Sequence, residues 1–405
     1  MGFKDNRKNS TGKVFMSNLL HRLVPTNALR ALRPEDTPRV TTMELFFDLV
    51  YVFTIIQLSH YLLEHASWLG ALEYVTLFAA VWWAWNYTAW AANWVNPDHP
   101  SGRGLMIVLM GCALLMAVAA PQAFGERAAL FAFAYVAMAL IRAGYMAFVF
   151  RGQVMGRNYT QLGAWSAISG LFWILGAFIA PARLEFWIVA VLIDYAAPYV
   201  GFWLPGKGAT PMSSWPLKGL HLFERNQLIF IIALGESILL LGGYLVSHEI
   251  HLDTGVAALI GFLLIVTLWW IYFVDLSEPG EHRFEHATDH TSLARAGLAY
   301  AHGVAVCGAI VTAVAIEMIV AHPHDAIHAE TAIIAFAGPS LFLLGCTIFH
   351  RVTAERLRGL YLLAVAALAA WGWLALNLHL NGLWLGTGVL LIVMAMAALG
   401  HRKAD

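Results

Sequence analysis

Twelve apolar segments, each near the ~20 residues a helix needs to cross a bilayer, leave this chain few folds to adopt. They fall at 43–64, 69–93, 103–122, 127–150, 159–181, 184–205, 222–247, 254–276, 294–321, 328–350, 357–377 and 380–400. Composition agrees. Charged residues make up only 12% of the chain and hydrophobic residues 60%, where a soluble domain carries about 25% charged residues. The expected fold class is all-α, a polytopic membrane protein of about 12 transmembrane helices embedded in a lipid bilayer.

Loop charge orients the segments. One set of loops, together with the termini, holds Arg103, Arg151, Arg157, Lys207, Lys218, Arg225, Arg283, Arg295, Arg351, Arg356, Arg358, Arg402 and Lys403. The opposite set holds only Arg127 and Arg183. An excess of Lys and Arg marks cytoplasmic loops, so both termini are expected in the cytoplasm. Residues 1–42 are a basic cytoplasmic segment without the apolar core and cleavage site of a signal peptide. Within it, residues 14–23 mix apolar and basic side chains, the pattern of a segment lying on a membrane surface, with a disordered tail as the alternative. A formal net charge of −1 gives no sign of a nucleic-acid partner. The three cysteines, Cys112, Cys307 and Cys346, lie unpaired in apolar segments and read as small buried residues.

Residues 205–219, rich in Gly, Pro and Ser, divide the chain into two groups of six. The expected domains are 43–205 and 222–400, joined by a cytoplasmic linker at 206–221, with 401–405 as a cytoplasmic C-terminus. Each group opens on an acidic helix, with Glu44 in MELFFDLVYVF and Glu224 in FERNQLIFIIALGES. The following helices match through Trp82-Trp83 and Trp269-Trp270. Six helices per unit make such repeats parallel, with a cavity on their common axis as the natural place for function.

Intramembrane charges are costly and mark functional positions or paired ones. Glu44 and Asp48 are four apart and share a helix face; Glu44 fits a helix-dipole role in the first turn, while Asp48 lies one turn deeper among phenylalanines. The plainer reading of both, as of Glu224, is that they cap helices or bind neighbouring loop cations such as Arg225. Asp194 is expected near the bilayer midplane, where Pro198 four residues on cannot donate to its carbonyl and loosens the helix. Its alternative reading is a structural ion pair with Arg142. Glu236 is the second midplane acid, too far along its helix from Arg225 to pair with it. Gly235 and Gly242-Gly243 are expected to let a neighbouring helix approach closely. Glu224, Asn226 and Asp275 sit at helix ends facing the cytoplasm, and Asn86 with the tryptophans of WWAWN (82–86) is placed to line a cavity. Abundant interfacial tryptophan is the plainer reading of those positions.

His282, His286 and His290 have the i, i+4 spacing of a weak metal candidate, and His322, His324 and His328 form a similar group on the outer side. Both stretches are hydrophilic, and solvated loop histidines are the expected reading. No Walker A or dinucleotide-binding glycine pattern occurs, so no cofactor and no ATP-driven transport are expected.

At ELFFDLVYVFTIIQLSH (44–60) and ERNQLIFIIALGES (224–237) the chain resembles the bacterial low temperature requirement A family. WWIYFVD (269–275) and AYAHGVAVCGAIVTAVAIE (299–317) share the likeness, which covers essentially everything after residue 40. The resemblance implies a polytopic protein of the bacterial inner membrane linked to growth in the cold, without supplying a mechanism. A weaker likeness is to lysosomal potassium channels with a Phe-Ser-Asp signature, through Phe46-Phe47-Asp48, although Asn226-Gln227-Leu228 stands in the aligned place of the second unit. The expected function is a secondary transporter or permease for a small solute or ion, using Asp48, Asp194 and Glu236. A cation channel is the alternative, and so is a membrane enzyme or scaffold of envelope adaptation, for which His302 with Glu236 or Asp275 is the one catalytic constellation. Assembly as a homo-oligomer stays open.

Overall fold

The structure, a computed structural model, describes residues 30, 39–287, 289–353 and 358–401. The remaining N- and C-terminal basic residues, including 14–23, lie outside the described residues. Twelve helical rods run through the described chain, which holds no strand. They are α1 (Thr42–Glu64), α2 (Trp68–Trp94), α3 (Pro100–Gln122), α4 (Ala128–Val149), α5 (Val154–Phe178) and α6 (Arg183–Ala196). After the linker come α7 (Gly219–Ser247), α8 (Leu252–Glu285), α9 (His290–Ala321), α10 (Ala329–Thr353), α11 (Gly359–Asn377) and α12 (Gly382–His401).

Helix starts follow local chemistry. Thr41 and Glu44 close a capping box on α1: Glu44 N donates to Thr41 Oγ1 at 3.3 Å, and Thr41 N donates to Glu44 Oε2 at 2.9 Å. Ser67 caps α2 through Gly70 N at 3.0 Å, and Pro100 occupies the first turn of α3, where a missing N–H is harmless.

Ten of the rods are long and apolar enough to cross a membrane. The other two, α2 and α6, fall short for different reasons. α2 has 27 residues, ample length, but Trp, Tyr and Asn lower its hydropathy. It is buried along most of its circumference, as a helix at the centre of a bundle must be. α6 has only 14 residues, about 21 Å of helix against a hydrocarbon core of about 30 Å. This corrects the expected span at 184–205. Pro198 cannot donate to Asp194, and Gly201 and Phe202 then turn the chain at φ 59° and 50°. The irregular backbone beyond Ala196 is satisfied by protein: Gln161 Nε2 donates to Phe202 O at 3.1 Å, Arg295 to Pro198 O at 3.1 Å, and Thr291 Oγ1 to Trp215 O at 2.6 Å.

Two π-helical stretches interrupt the second half. Ile271–Ser277 in α8 leads into Pro279, which cannot donate to the carbonyl of Asp275. α8 then continues to Glu285 as a polar helix, longer than the expected 254–276, so the HRFEH stretch is helical rather than a loop. Ala294–Ala301 in α9 is the second stretch. It faces the first half: Trp82 Nε1 donates to Ala299 O at 2.7 Å and Tyr300 Oη to Tyr195 O at 2.7 Å.

Neighbour relations recur across the linker. In the first half α1 packs on α2 and α3, α3 on α4, α4 on α5, α5 on α6, and α6 on α2. In the second half α7 packs on α8 and α9, α9 on α10, α10 on α11, α11 on α12, and α12 on α8. The halves join where α1 meets α7 and α9. The tryptophan match fares differently: Trp82 and Trp83 are buried, whereas Trp269 and Trp270 are exposed on the outer face of the bundle. Close helix approach is also not where expected. A Cβ on Gly235, Gly242 or Gly243 would meet nothing within 4 Å, whereas one on Gly308 would fall 2.1 Å from Phe342 N, making α9 and α10 the tight pair.

Candidate functional site

At the end of the bundle that carries the linker, α1 and α7 meet through a fully buried ionic cluster. Glu44, Asp48 and Arg225 each have no exposed surface. Arg225 Nε donates to Asp48 Oδ2 at 3.1 Å, its Nη2 to Asp48 Oδ1, and its Nη1 to Glu44 Oε1 at 3.3 Å. Trp85 Nε1 gives Asp48 a further donor at 2.8 Å, and Arg30 Nη2 reaches Glu44 Oε2 at 2.7 Å. Two carboxylates thus face two guanidinium groups. His221 adds no charge by its bonding pattern. Lys218 N donates to Asn93 Oδ1 at 2.8 Å, which fixes the amide so that Asn93 Nδ2 points its hydrogens at Lys218 O and at His221 Nδ1, 3.2 Å away. His221 Nδ1 is then the acceptor, and the ring proton sits on Nε2, 3.0 Å from Glu44 Oε1. The cluster holds the first helices of the two halves together with its charges balanced.

Asp194 and Arg142 are both buried but form no ion pair within 4 Å among the described residues. Tyr135 Oη donates to Asp194 Oδ2 at 2.7 Å. Arg142 Nη1 donates to Ala84 O at 3.2 Å and to Thr88 Oγ1 at 3.0 Å, and its guanidinium lies 5.3 Å from the Tyr87 ring centre. The pairing considered for these two residues is replaced by separate neutral partners.

Glu236 differs from all of these. It is buried in α7, and its Oε2 has no hydrogen-bond partner. The charged group acting on it is a second carboxylate, Glu317 of α9. Glu317 lines a cavity of about 600 Å³ that opens at the end of the bundle opposite the linker. Tyr244, His248, His322, Asp325 and His328 line the same cavity, and Leu63 brings α1 to its wall. His322 Nδ1 pairs with Asp325 Oδ2 at 3.1 Å, and His324 Nε2 with Asp253 Oδ2 at 2.8 Å. The three outer histidines are exposed, and His322 and His328 stand in the wall of the vestibule.

Asn86 lines a small cavity of about 30 Å³ with Trp83, Tyr87 and Trp90 of α2. The other residues singled out by the sequence lie apart. Glu224 is exposed beside a groove with Arg39, Gln227 and Glu281. Asn226 donates to Leu222 O inside α7 at 2.8 Å. Asp275 is buried in the π-helical stretch of α8. His302 bonds Tyr272 and lies 3.3 Å from Gly297 O, and bonds neither Glu236 nor Asp275. His282 and His286 stack with ring centres 4.3 Å apart, but the helix ends before His290, which points instead toward Gly219. Among the described residues no group of three or more His, Cys, Asp or Glu is placed to hold a metal ion.

Comparison with known proteins agrees with the architecture. The family described as Bacterial low temperature requirement A protein (LtrA) matches residues 39–398. A protein of Rhizobium meliloti (strain 1021), named Uncharacterized protein RA0937, is 35% identical over 383 residues, covering 92% of this chain and 93% of its own. No solved structure matches. With a family match over nearly its whole length, the chain belongs to the bacterial low temperature requirement A family.

Proposed function

We propose that this chain is a secondary transporter of the bacterial cytoplasmic membrane, coupled through the carboxylates of Glu236 and Glu317. The observation that carries the reading is Glu236: a buried carboxylate oxygen without a partner, within electrostatic reach of a second carboxylate, Glu317, that lines a 600 Å³ vestibule. A buried carboxylate without a partner, under the field of a second one, is a place for a proton or a small cation. The repeated neighbour relations of α1–α6 and α7–α12 support a duplicated six-helix unit, with the vestibule where α1 meets the second unit. Loop charge supports placing both termini in the cytoplasm, which puts the vestibule outside. In this arrangement the Glu44–Asp48–Arg225 cluster closes the cytoplasmic end while the vestibule walled by Glu317 opens to the exterior, as one half of an alternating-access cycle requires.

The test is ion flux into proteoliposomes under imposed pH, sodium and potassium gradients. Wild type is expected to carry flux under at least one gradient. Glu236→Gln, with an unchanged elution profile, is expected to lose most of it, and Glu317→Gln to shift its pH or ion dependence. Undiminished flux in a folded Glu236→Gln variant would overturn the assignment, as would no flux in wild type.

A further inference from the structure

The small cavity beside Asn86 is unlike an ordinary packing gap. Its rings come from α2 and α5, from Phe202 after α6, and from Trp215, while Arg295 of α9 stands in its wall. Asn86 is 1% exposed, and neither Nδ2 nor Oδ1 has a hydrogen-bond partner. The indole N–H of Trp90 is also buried without one, and neither the Trp83 N–H nor the Tyr87 hydroxyl makes a bond of acceptable geometry. Buried polar groups left unsatisfied are rare in folded proteins, and here several gather on one void. A space of about 30 Å³ admits a water or the oxygen end of a larger molecule.

The chemistry of the lining selects what that molecule carries. Trp83, Asn86 and Trp90 present N–H donors, and Asn86 Oδ1 is the chief acceptor, so the cage is rich in donors. Cations flank it. Arg295 lines it directly, and Arg142 lies behind the Tyr87 ring, fully buried, with its Nε unbonded and with no carboxylate within 4 Å. No carboxylate lines the cavity; Asp194, beyond Tyr87, is engaged by Tyr135. Phe202, which closes the cage, holds φ at 50°, a strained value for a bulky residue and one often found at functional positions.

We infer that this cage binds a small carboxylate-bearing molecule, its oxygens on the Asn86 and Trp90 donors with Arg295 opposing the charge, and its body among the rings. A void of about 30 Å³ takes little more than the carboxylate group itself, so the smallest acids are expected to fit best. The inference stands apart from the transport reading, since a carrier, a sensor or a scaffold could each hold such a ligand.

The experiment measures thermal stability of the purified full-length protein in neutral detergent with sodium formate, acetate, propionate and benzoate. The matching amides and amines, and sodium chloride at equal ionic strength, are the controls. At least one carboxylate is expected to raise Tm saturably above the chloride control, its amide to do so less, and its amine not at all. Arg295→Gln is expected to weaken that carboxylate by about tenfold or more, the loss of a charge-assisted contact. Asn86→Asp, which sets a like charge at the donors, is expected to abolish the effect. The inference is overturned if no carboxylate shifts Tm, if amines act as strongly as carboxylates, or if a folded Arg295→Gln variant binds like wild type.

Discussion

Replacing Arg225 by methionine is expected to destabilise the fold by about 3–5 kcal/mol, the range seen when one partner of a buried ion pair is removed. The reason is specific to Asp48. Glu44 would keep Arg30 at 2.7 Å, but Asp48 would retain only the Trp85 indole at 2.8 Å as a bonded partner, with its charge uncompensated and out of water. Arg225→Lys is not a conservative change here, because one ammonium cannot reproduce a guanidinium that bridges Asp48 and Glu44. The check is the unfolding midpoint in detergent. A companion variant, Arg225→Met with Asp48→Asn, should recover much of the loss by removing the orphaned charge. Wild-type stability in Arg225→Met would show that the cluster does not hold α1 to α7.

Gly308→Ala is expected to be the next most damaging change, at about 1–3 kcal/mol. Its Cβ would sit 2.1 Å from Phe342 N and 2.7 Å from Gly338 O, both backbone atoms that cannot swing aside. α9 and α10 would have to separate, and with them the wall that carries Glu317. Gly235→Ala is the control: nothing lies within 4 Å of its Cβ, so it should stay within about 0.5 kcal/mol of wild type in the same unfolding measurement. Equal effects of the two alanines would contradict the close approach at Gly308.

The helices were legible in the sequence because a bilayer forces long apolar runs, and the Thr41–Glu44 capping box is a local signal. What long-range packing decides was not. Arg225 reads as a loop cation available to Glu44 and Asp48; what the sequence does not convey is that it is fully buried between them, 177 and 181 positions away in sequence. Arg30, in a polar stretch, gives no sign that it closes on Glu44, and His221 and Asn93 acquire their roles only when α2 and α7 meet. Glu317 was missed for a similar reason: an acid near the end of an apolar run resembles a helix terminus, and only the fold puts it in the vestibule wall within electrostatic reach of Glu236. α6 shows the limit of hydropathy itself, since 184–205 is apolar throughout while Pro198, Gly201 and Phe202 end the helix early. Asn86 does stand in a cavity wall; what the sequence could not convey is that both ends of its amide are left without partners.

The central claim is that Glu236 is reached from outside the cell through the vestibule while the ionic cluster seals the cytoplasmic end. The most direct test is the labelling rate of Glu236→Cys by a membrane-impermeant thiol reagent, in a variant with Cys112, Cys307 and Cys346 replaced by alanine. Right-side-out and inside-out vesicles give the two sides, with Glu317→Cys and Glu224→Cys as markers of the vestibule and the cytoplasmic face. The account predicts that Glu236→Cys and Glu317→Cys react faster from outside, and Glu224→Cys faster from inside. Faster labelling of Glu236→Cys from the cytoplasmic side would contradict it.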